Sequence, residues 1–377
     1  MRTNVPNQIA RAFTILLLLT SLTKNATAAV APSILQAKKE AQAKGYIFFT
    51  THDEIVAMAK KERKLGVVTG LESANFKPLI NGFKQKYSFL NDIQIREISG
   101  TEAFQRFILE MKAGKSRDWD ITDASLDFAN EYMPYLMKYD ILGMAKHGVL
   151  KIDPRIIHSA DRNIVAVTSS ISVIPYNKTL ISEDKVPAKW EDFLKPEFTG
   201  KKFVLDVRPL QVAGLVPAWG LDKTLDFARR LASQQPAWGR GATKVTTAVL
   251  NAEYPFYLGT NFSSINRAMH KDPTGNLRYK LVEPVPTRII DDISGVLSTA
   301  EHPHSALLWL EFLASPEGQE IIDKYEPLRA SVFTSGSAAA QVTRGKHLSV
   351  VDWDHFTKFQ DYVEKIFAAY GFPKADK

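Results

Sequence analysis

Apolar and polar positions follow two alternating periods through the first half of the chain. A short apolar run at 65–69 predicts a strand, and apolar residues at helical spacing over 76–87 predict a helix. The same two patterns return at 93–95 and 104–111, and a third strand is predicted at 119–122. This βαβαβ series predicts an α/β fold with a largely parallel sheet and helices on both faces.

The predicted strands end in hydroxyl residues and glycines. Open sheets of this kind bind ligands beyond the carboxyl ends of their strands, and helix starts there offer free N–H groups that attract anions. Ser and Thr also cap helices in any α/β protein, so the functional interpretation depends on these residues converging at one sheet edge. The residues predicted to line a ligand site here are Glu72, Ser73, Thr101 and Ser125.

A second unit of the same kind follows. The stretch 165–174 is β-prone, a helix is predicted at 221–232, and residues 239–244 lead into another helix. The pattern therefore predicts a second α/β unit after the first.

The N-terminus has the layout of a secretory signal peptide. Arg2 and Arg11 precede an apolar run at 12–22, which is too short to span a bilayer, and 26–28 supplies the small residues of a cleavage site. We predict a signal peptide over residues 1–28 and a mature protein in the periplasm. An uncleaved membrane anchor is the alternative.

Composition narrows the function classes. The chain has no cysteine, which excludes disulfides, a lipid-modified cysteine and a cysteine nucleophile. Its charge of +7 is spread without basic-aromatic clusters, so we expect no nucleic-acid partner. Nucleotide phosphate loops, serine-hydrolase elbows and zinc-protease helices are missing from the sequence, and the eight histidines show no ligand spacing. We therefore expect no enzyme activity, cofactor or bound metal, although a secreted enzyme without a recognisable motif stays open.

Three segments carry a family resemblance. Residues 302–332 combine a His-Pro helix start, a Ser-Pro-Glu-Gly-Gln turn into a second helix and a Leu-Arg-Ala-Ser-Val return, and Ser315 is expected to cap that second helix. Residues 187–201 and 113–121 hold further matching motifs. Together they resemble the bacterial extracellular solute-binding proteins, the receptors of ABC importers for ferric iron, polyamines, phosphonates or sugar phosphates.

The resemblance implies a two-lobed periplasmic binding protein fold of type II, with a mostly parallel sheet flanked by helices in each lobe. Crossover strands are expected to join the lobes, with a return to the first lobe near 282–290. It places the first lobe at 29–170, the second at 171–284, and the return to the first lobe with the C-terminal helices at 285–377. It also implies a monomer that captures a small solute, closes about a hinge and delivers the solute to a membrane permease. A receptor that feeds a membrane sensor is an alternative.

The ligand class follows from residues that match or depart from the family. Ferric-iron members use two adjacent tyrosines, and Asn261 and Phe262 hold those positions here. This departure favours an anionic organic or phosphorylated solute over ferric iron, which remains the alternative. The resemblance adds Arg208, Thr243, Asn261 and Arg329 to the predicted site, with Arg329 as the principal cation or, alternatively, the partner of a structural carboxylate.

Overall fold

A computed structural model describes Met1 and residues 30–125 and 128–371. The predicted signal peptide lies outside these residues apart from Met1, so it stays a prediction. Within the described residues, no helix has the length and apolar character needed to cross a membrane. The strands are β1 (Lys64–Thr69), β2 (Asp92–Glu97), β3 (Ile121–Ser125), β4 (Ser170–Asn177), β5 (Val204–Asp206), β6 (Ala237–Gly239), β7 (Tyr257–Leu258), β8 (Thr260–Asn261), β9 (Leu277–Lys280), β10 (Val285–Arg288), β11 (Asp292–Val296) and β12 (Leu348–Val351).

The α-helices are distributed along the whole described chain. They are α1 (Pro32–Ala43), α2 (His52–Glu62), α3 (Phe76–Lys86), α4 (Thr101–Lys112), α5 (Ala129–Tyr132), α6 (Ile141–Lys146), α7 (Leu210–Ala213), α8 (Val216–Trp219), α9 (Leu221–Ser233), α10 (Ala242–Leu250), α11 (Phe262–His270), α12 (Pro303–Ala314), α13 (Pro316–Tyr325), α14 (Ala338–Val342), α15 (Trp353–Phe356) and α16 (Phe359–Ala369).

The first lobe is built on a four-stranded sheet in the order β11-β3-β1-β2. Strands β1, β2 and β3 run parallel, and β11 pairs antiparallel with β3. Neighbouring residues of β1 belong to different hydrophobic clusters on the two faces of the sheet. Val67 is in the cluster of Phe83 and Trp309, whereas Val68 is in the cluster of Phe107. A sheet buried on both faces needs this continuous apolar pattern, and the predicted βαβαβ series is confirmed.

Strand β3 lies further along the chain than the sequence predicts. The sequence predicts the third strand at 119–122, but β3 extends to Ser125 and includes two buried polar residues, Thr122 and Asp123. Asp123 tolerates burial because Thr69 Oγ1 donates to it at 2.7 Å and Ser294 Oγ donates to it at 2.5 Å. Polar residues at the end of a strand look like a loop in the sequence, so the pattern predicts a strand that ends too early.

The second lobe combines two sheets. A parallel sheet in the order β6-β5-β7 lies beside a mixed sheet in the order β12-β10-β4-β8, in which β9 also pairs with β4. Three of the partners of β4 are antiparallel to it, so the mostly parallel sheet that the family resemblance implies describes the first lobe better than the second. The C-terminal helix α16 packs against α9 and α7 of this lobe.

The chain passes between the lobes at 168–170, at 288–292 and again after 329–332, a segment that lies against the first two passages. Asp291 N–H donates to Thr168 O at 3.0 Å, and Ser169 N–H donates to Arg329 O at 2.9 Å. Ser169 Oγ also donates to Ile289 O at 3.2 Å. These bonds tie the crossover segments into one small region, while the predicted domain boundaries themselves stay predictions.

Helix α12 forms the centre of the first lobe. Its residues from Ser305 to Leu313 are all buried, including the carboxylate of Glu311. Helix α2 packs along it, and His52 Nε2 lies 2.8 Å from Glu311 Oε2. The next helix starts as predicted, since the Ser315 hydroxyl accepts a bond from Gly318 N–H at 3.2 Å.

Candidate functional site

A cavity of about 240 Å³ lies where the two lobes and the crossover segments meet. The first lobe contributes the ends of β1, β2 and β3, and the second lobe contributes the start of α11. The crossover segments form its floor. Lining residues with polar side chains are Ser99, Ser125, Asn261, Ser263, Arg267, Arg288, Asp291, Asp292 and Arg329.

The first-lobe wall is built from strand ends, as the sequence predicts. Gly70 follows β1, Ser99 and Gly100 follow β2, and Ser125 ends β3 beside Asp292 in the sheet register. Gly70 is needed for close approach, because a Cβ atom there would lie 2.7 Å from Asp292 Oδ2. The wall therefore presents hydroxyl groups and exposed backbone to the cavity.

The floor of the cavity is dominated by the guanidinium group of Arg329. Its Nη2 donates to Asp292 Oδ2 at 2.8 Å, its Nε lies 3.4 Å from Asp291 Oδ2, and its Nη1 bonds Glu326. Burial opposes the charge of Arg329, but the three carboxylates raise its pKa above the ordinary value. This is the carboxylate pairing that the sequence left as the alternative to a ligand contact.

Glu326 extends this ion cluster into the loop that follows β1. Its Oε1 accepts bonds from Glu72 N–H at 2.7 Å and from Asn75 Nδ2 at 2.6 Å. Because Glu326 also pairs with Arg329, the crossover region holds the loop over 72–75 in place. Arg329 thus positions the cavity wall as well as its floor.

Asp292 carries an unusual charge environment. Burial raises its pKa to about 7, and the neighbouring Asp291 adds to that effect, while Arg329 opposes it. Asp123 lies near enough to raise the pKa further. The floor is therefore a buried cluster in which carboxylates outnumber the arginine they surround.

Two cavity arginines were not found from the sequence. Arg288 Nη2 donates to Ser170 Oγ at 3.3 Å and lies 3.4 Å from Asp291 Oδ1. Arg267 Nη1 donates to Glu72 Oε1 at 3.0 Å, joining α11 of the second lobe to the first lobe. The signal that could have found Arg267 is its spacing of four residues from Ser263, which places both on one helix face.

The predicted site residues divide into two groups. Ser125, Asn261 and Arg329 line the cavity, and Glu72 lies at its edge through Arg267. Thr101 starts α4 directly after Gly100. Among the predicted residues whose side chains the structure describes, those that do not line the cavity are Glu72, Ser73, Arg208 and Thr243. Ligand contacts for all eight remain predictions.

Arg208 and Thr243 have local partners instead. Arg208 N–H donates to Asp206 Oδ1 at 2.9 Å, and its half-exposed side chain lies beside the same carboxylate. Thr243 is exposed near the start of α10, and its backbone carbonyl accepts a bond from Thr247 Oγ1 at 2.9 Å. Neither position brings its side chain to the cavity.

The segment where iron-binding relatives would place tyrosines has a structural role here. Asn261 Oδ1 accepts a bond from Ser264 N–H at 3.0 Å and so caps α11, and Phe262 packs against the ring of Tyr279. Tyr257 is buried and donates to Asp206 Oδ2 at 2.8 Å, and burial with this carboxylate raises its pKa. A raised pKa disfavours the tyrosinate form that ferric iron requires. Among the described residues, no group of three or more His, Cys, Asp or Glu side chains could hold a metal ion.

Solved structures of low sequence identity share this fold. Iron-bound HitA from Pseudomonas aeruginosa is 16% identical with a TM-score of 0.58, covering 81% of this chain and 99% of its own. The Trichodesmium protein IdiA (FutA), in complex with iron and citrate, is 16% identical with a TM-score of 0.60, covering 81% and 99%. AfuA from Actinobacillus pleuropneumoniae, bound to fructose-6-phosphate, is 17% identical with a TM-score of 0.54, covering 81% and 96%. No curated protein matches the chain.

Fold and cavity together define a two-lobed protein with a cavity where the crossover segments meet. The sequence profile of the bacterial extracellular solute-binding proteins matches residues 129–358. The chain belongs to this family of solute-binding proteins. The resemblance expected from the sequence is confirmed.

Proposed function

We propose that this receptor captures a small anionic organic or phosphorylated solute between its lobes in the periplasm and delivers it to a membrane permease as a monomer. The observation that carries the proposal is the convergence of Arg267, Arg288 and the hydroxyls of Ser99, Ser125 and Ser263 on one cavity. Arginine suits phosphate and carboxylate because its planar group makes two parallel charge-assisted bonds. Solute binding without turnover is part of the same proposal.

Closure of the lobes about the crossover segments is the proposed mechanism. The passages of the chain between the lobes at 168–170, at 288–292 and after 329–332 lie close together, so a small backbone rotation there moves the second lobe as a unit. A solute that contacts Ser125 on one side and Ser263 on the other favours the closed state, because it gains both sets of contacts there.

Ferric iron is the second candidate, and it is favoured by the bound iron in two proteins of the same fold. The donors that would be needed are not assembled among the described residues. Asn261 and Phe262 provide no tyrosinate, and the hydroxyl of Tyr257 is engaged by Asp206. The donor set of the cavity therefore supports an organic or phosphorylated anion better.

Calorimetry with small-angle scattering tests the proposal. The protein is first unfolded to release any co-purified solute and then refolded. The refolded protein is titrated with carboxylates, phosphonates and sugar phosphates, and scattering is recorded for any compound that binds. We expect one class of anionic solute to bind at 1:1 and to reduce the radius of gyration without a change in secondary structure. Binding of neutral solutes alone, or saturation with unchanged dimensions, would contradict it.

A further inference from the structure

The ion pair between Arg267 and Glu72 joins the two lobes at the edge of the cavity. Arg267 is on α11 of the second lobe, Glu72 follows β1 of the first lobe, and the bond between them is 3.0 Å long. We propose that Arg267 binds the anionic group of the solute, and that Glu72 occupies the guanidinium until the solute replaces it. This inference rests on the proposed function and names the second-lobe charge partner of the solute.

The packing of α11 directs Arg267 toward the cavity. Phe262 and Ile265 are buried on the core side of the helix, and Asn261 caps its start. Ser263 and Arg267 lie four residues apart on the cavity side, so both can address the same ligand group. The apolar side fixes the helix, which leaves only the long side chain of Arg267 to move.

The exposed fraction of an arginine side chain determines whether the arginine can exchange a protein carboxylate for a solute anion. The side chains of Arg267 and Glu72 are 47% and 32% exposed, and ion pairs this open to water contribute little to stability. A solute anion held deeper in the cavity can therefore replace Glu72 at small cost. Glu72 would return to water, where its charge is well solvated.

Arg329 cannot exchange in the same way. Its side chain is 6% exposed, and its guanidinium already contacts Asp291, Asp292 and Glu326. Moving it to a solute would leave these buried carboxylates without their counter-charge, which is costly. This contrast assigns the anion to Arg267 and the positioning of the floor and loop to Arg329.

Glu72 then has a role opposite to that of a ligand contact. As a competitor for Arg267, it lowers the affinity for the anion, and as an interlobe contact it limits how far the solute-free lobes separate. Glu72→Gln should remove both effects, whereas loss of a true ligand contact would weaken binding. The two roles therefore predict changes of opposite sign.

The test uses a chain without native cysteine, so paired labels report only on chosen positions. Spin labels at Lys77→Cys and Lys244→Cys, both exposed and on opposite lobes, give the interlobe distance distribution without added solute. Calorimetry with inorganic phosphate gives the anion affinity of the unlabelled proteins. The variants are Glu72→Gln and Arg267→Gln, and the matched control is Asp226→Asn, which removes an exposed ion pair with Arg230 inside α9.

We expect Glu72→Gln and Arg267→Gln to widen the solute-free distance distribution, and Asp226→Asn to leave it unchanged. Glu72→Gln should bind phosphate about two- to five-fold more tightly, which corresponds to the loss of an exposed ion pair. Arg267→Gln should bind phosphate at least about tenfold more weakly, since it loses a charged hydrogen bond.

Weaker phosphate binding by Glu72→Gln would overturn the inference, and so would unchanged distances in both variants. An anionic solute that binds the parent and Arg267→Gln equally would overturn it while leaving the proposed function in place. Failure of every anionic solute to bind the parent would instead overturn the proposed ligand class, whatever the distance measurements show.

Discussion

Replacing Arg329 with alanine tests the buried ion cluster at the crossover. The guanidinium contacts three carboxylates, and the whole residue is 5% exposed. Removing one partner of a buried ion pair typically costs about 3–5 kcal/mol, because the remaining charge is left uncompensated. The loop over 72–75 should loosen as well, since Glu326 would lose the partner that holds it there.

The assay is thermal and denaturant unfolding of the solute-free protein near pH 8. For domains of 150–250 residues each kcal/mol corresponds to about 2–4 °C in Tm, so we expect the midpoint to fall by about 6 °C or more. Arg208→Ala is the control, because Arg208 is half exposed and should change the free energy of unfolding by less than about 0.5 kcal/mol. Adding Asp292→Asn to Arg329→Ala should recover part of the loss, since it removes a buried acid that would otherwise have to stay charged without its cation or take up a proton.

A loss of stability below about 1 kcal/mol in Arg329→Ala would refute the structural role of this arginine, because a buried charge cluster that loses its cation is expected to cost several times more. If the same variant kept its stability and lost solute binding, Arg329 would be the principal cation of the ligand, as the sequence predicts. Normal binding with a lowered midpoint would instead assign Arg329 to the fold.

Two further predictions concern acid stability and iron. Burial favours the neutral form of Glu311, but bonds from His52 and Lys151 N–H hold its pKa below the ordinary value of 4.5. The charged form of Glu311 therefore stabilises the fold above pH 4.5, and this contribution is lost as pH falls below that value. In denaturant titrations from pH 3 to 6, the free energy of unfolding should fall less steeply with decreasing pH for Glu311→Gln than for the parent. Titration with chelated ferric iron should give no tyrosinate charge-transfer absorption, since Asn261 and Phe262 replace the tyrosine pair; a coloured 1:1 complex would show that this placement is wrong.

Periodic elements were predictable because each carries its own local pattern. The apolar run of β1 and the cap at Ser315 both appear where the sequence places them. The end of β3 was not predictable, because Asp123 is stabilised by Thr69 and by the distant Ser294. Hydroxyl groups that are distant in sequence stabilise this buried carboxylate, so the local sequence pattern does not predict its burial.

The site was predictable only in outline for a similar reason. The strand ends at Gly70, Ser99 and Ser125 do converge, since parallel strands bring their carboxyl ends to one edge. Arg267 and Arg288 were missed, because their access to the cavity depends on how the second lobe faces the first. The spacing of residues within one helix or strand does not predict how the two lobes face each other.

Native mass spectrometry tests the central claim most directly. The refolded receptor is incubated with a metabolite extract, separated from free compounds and analysed intact and after denaturation. We predict one organic compound per chain, carrying a phosphate or carboxylate group, that is lost on unfolding. A receptor that instead retains ferric iron alone, or a compound without any anionic group, would contradict the account.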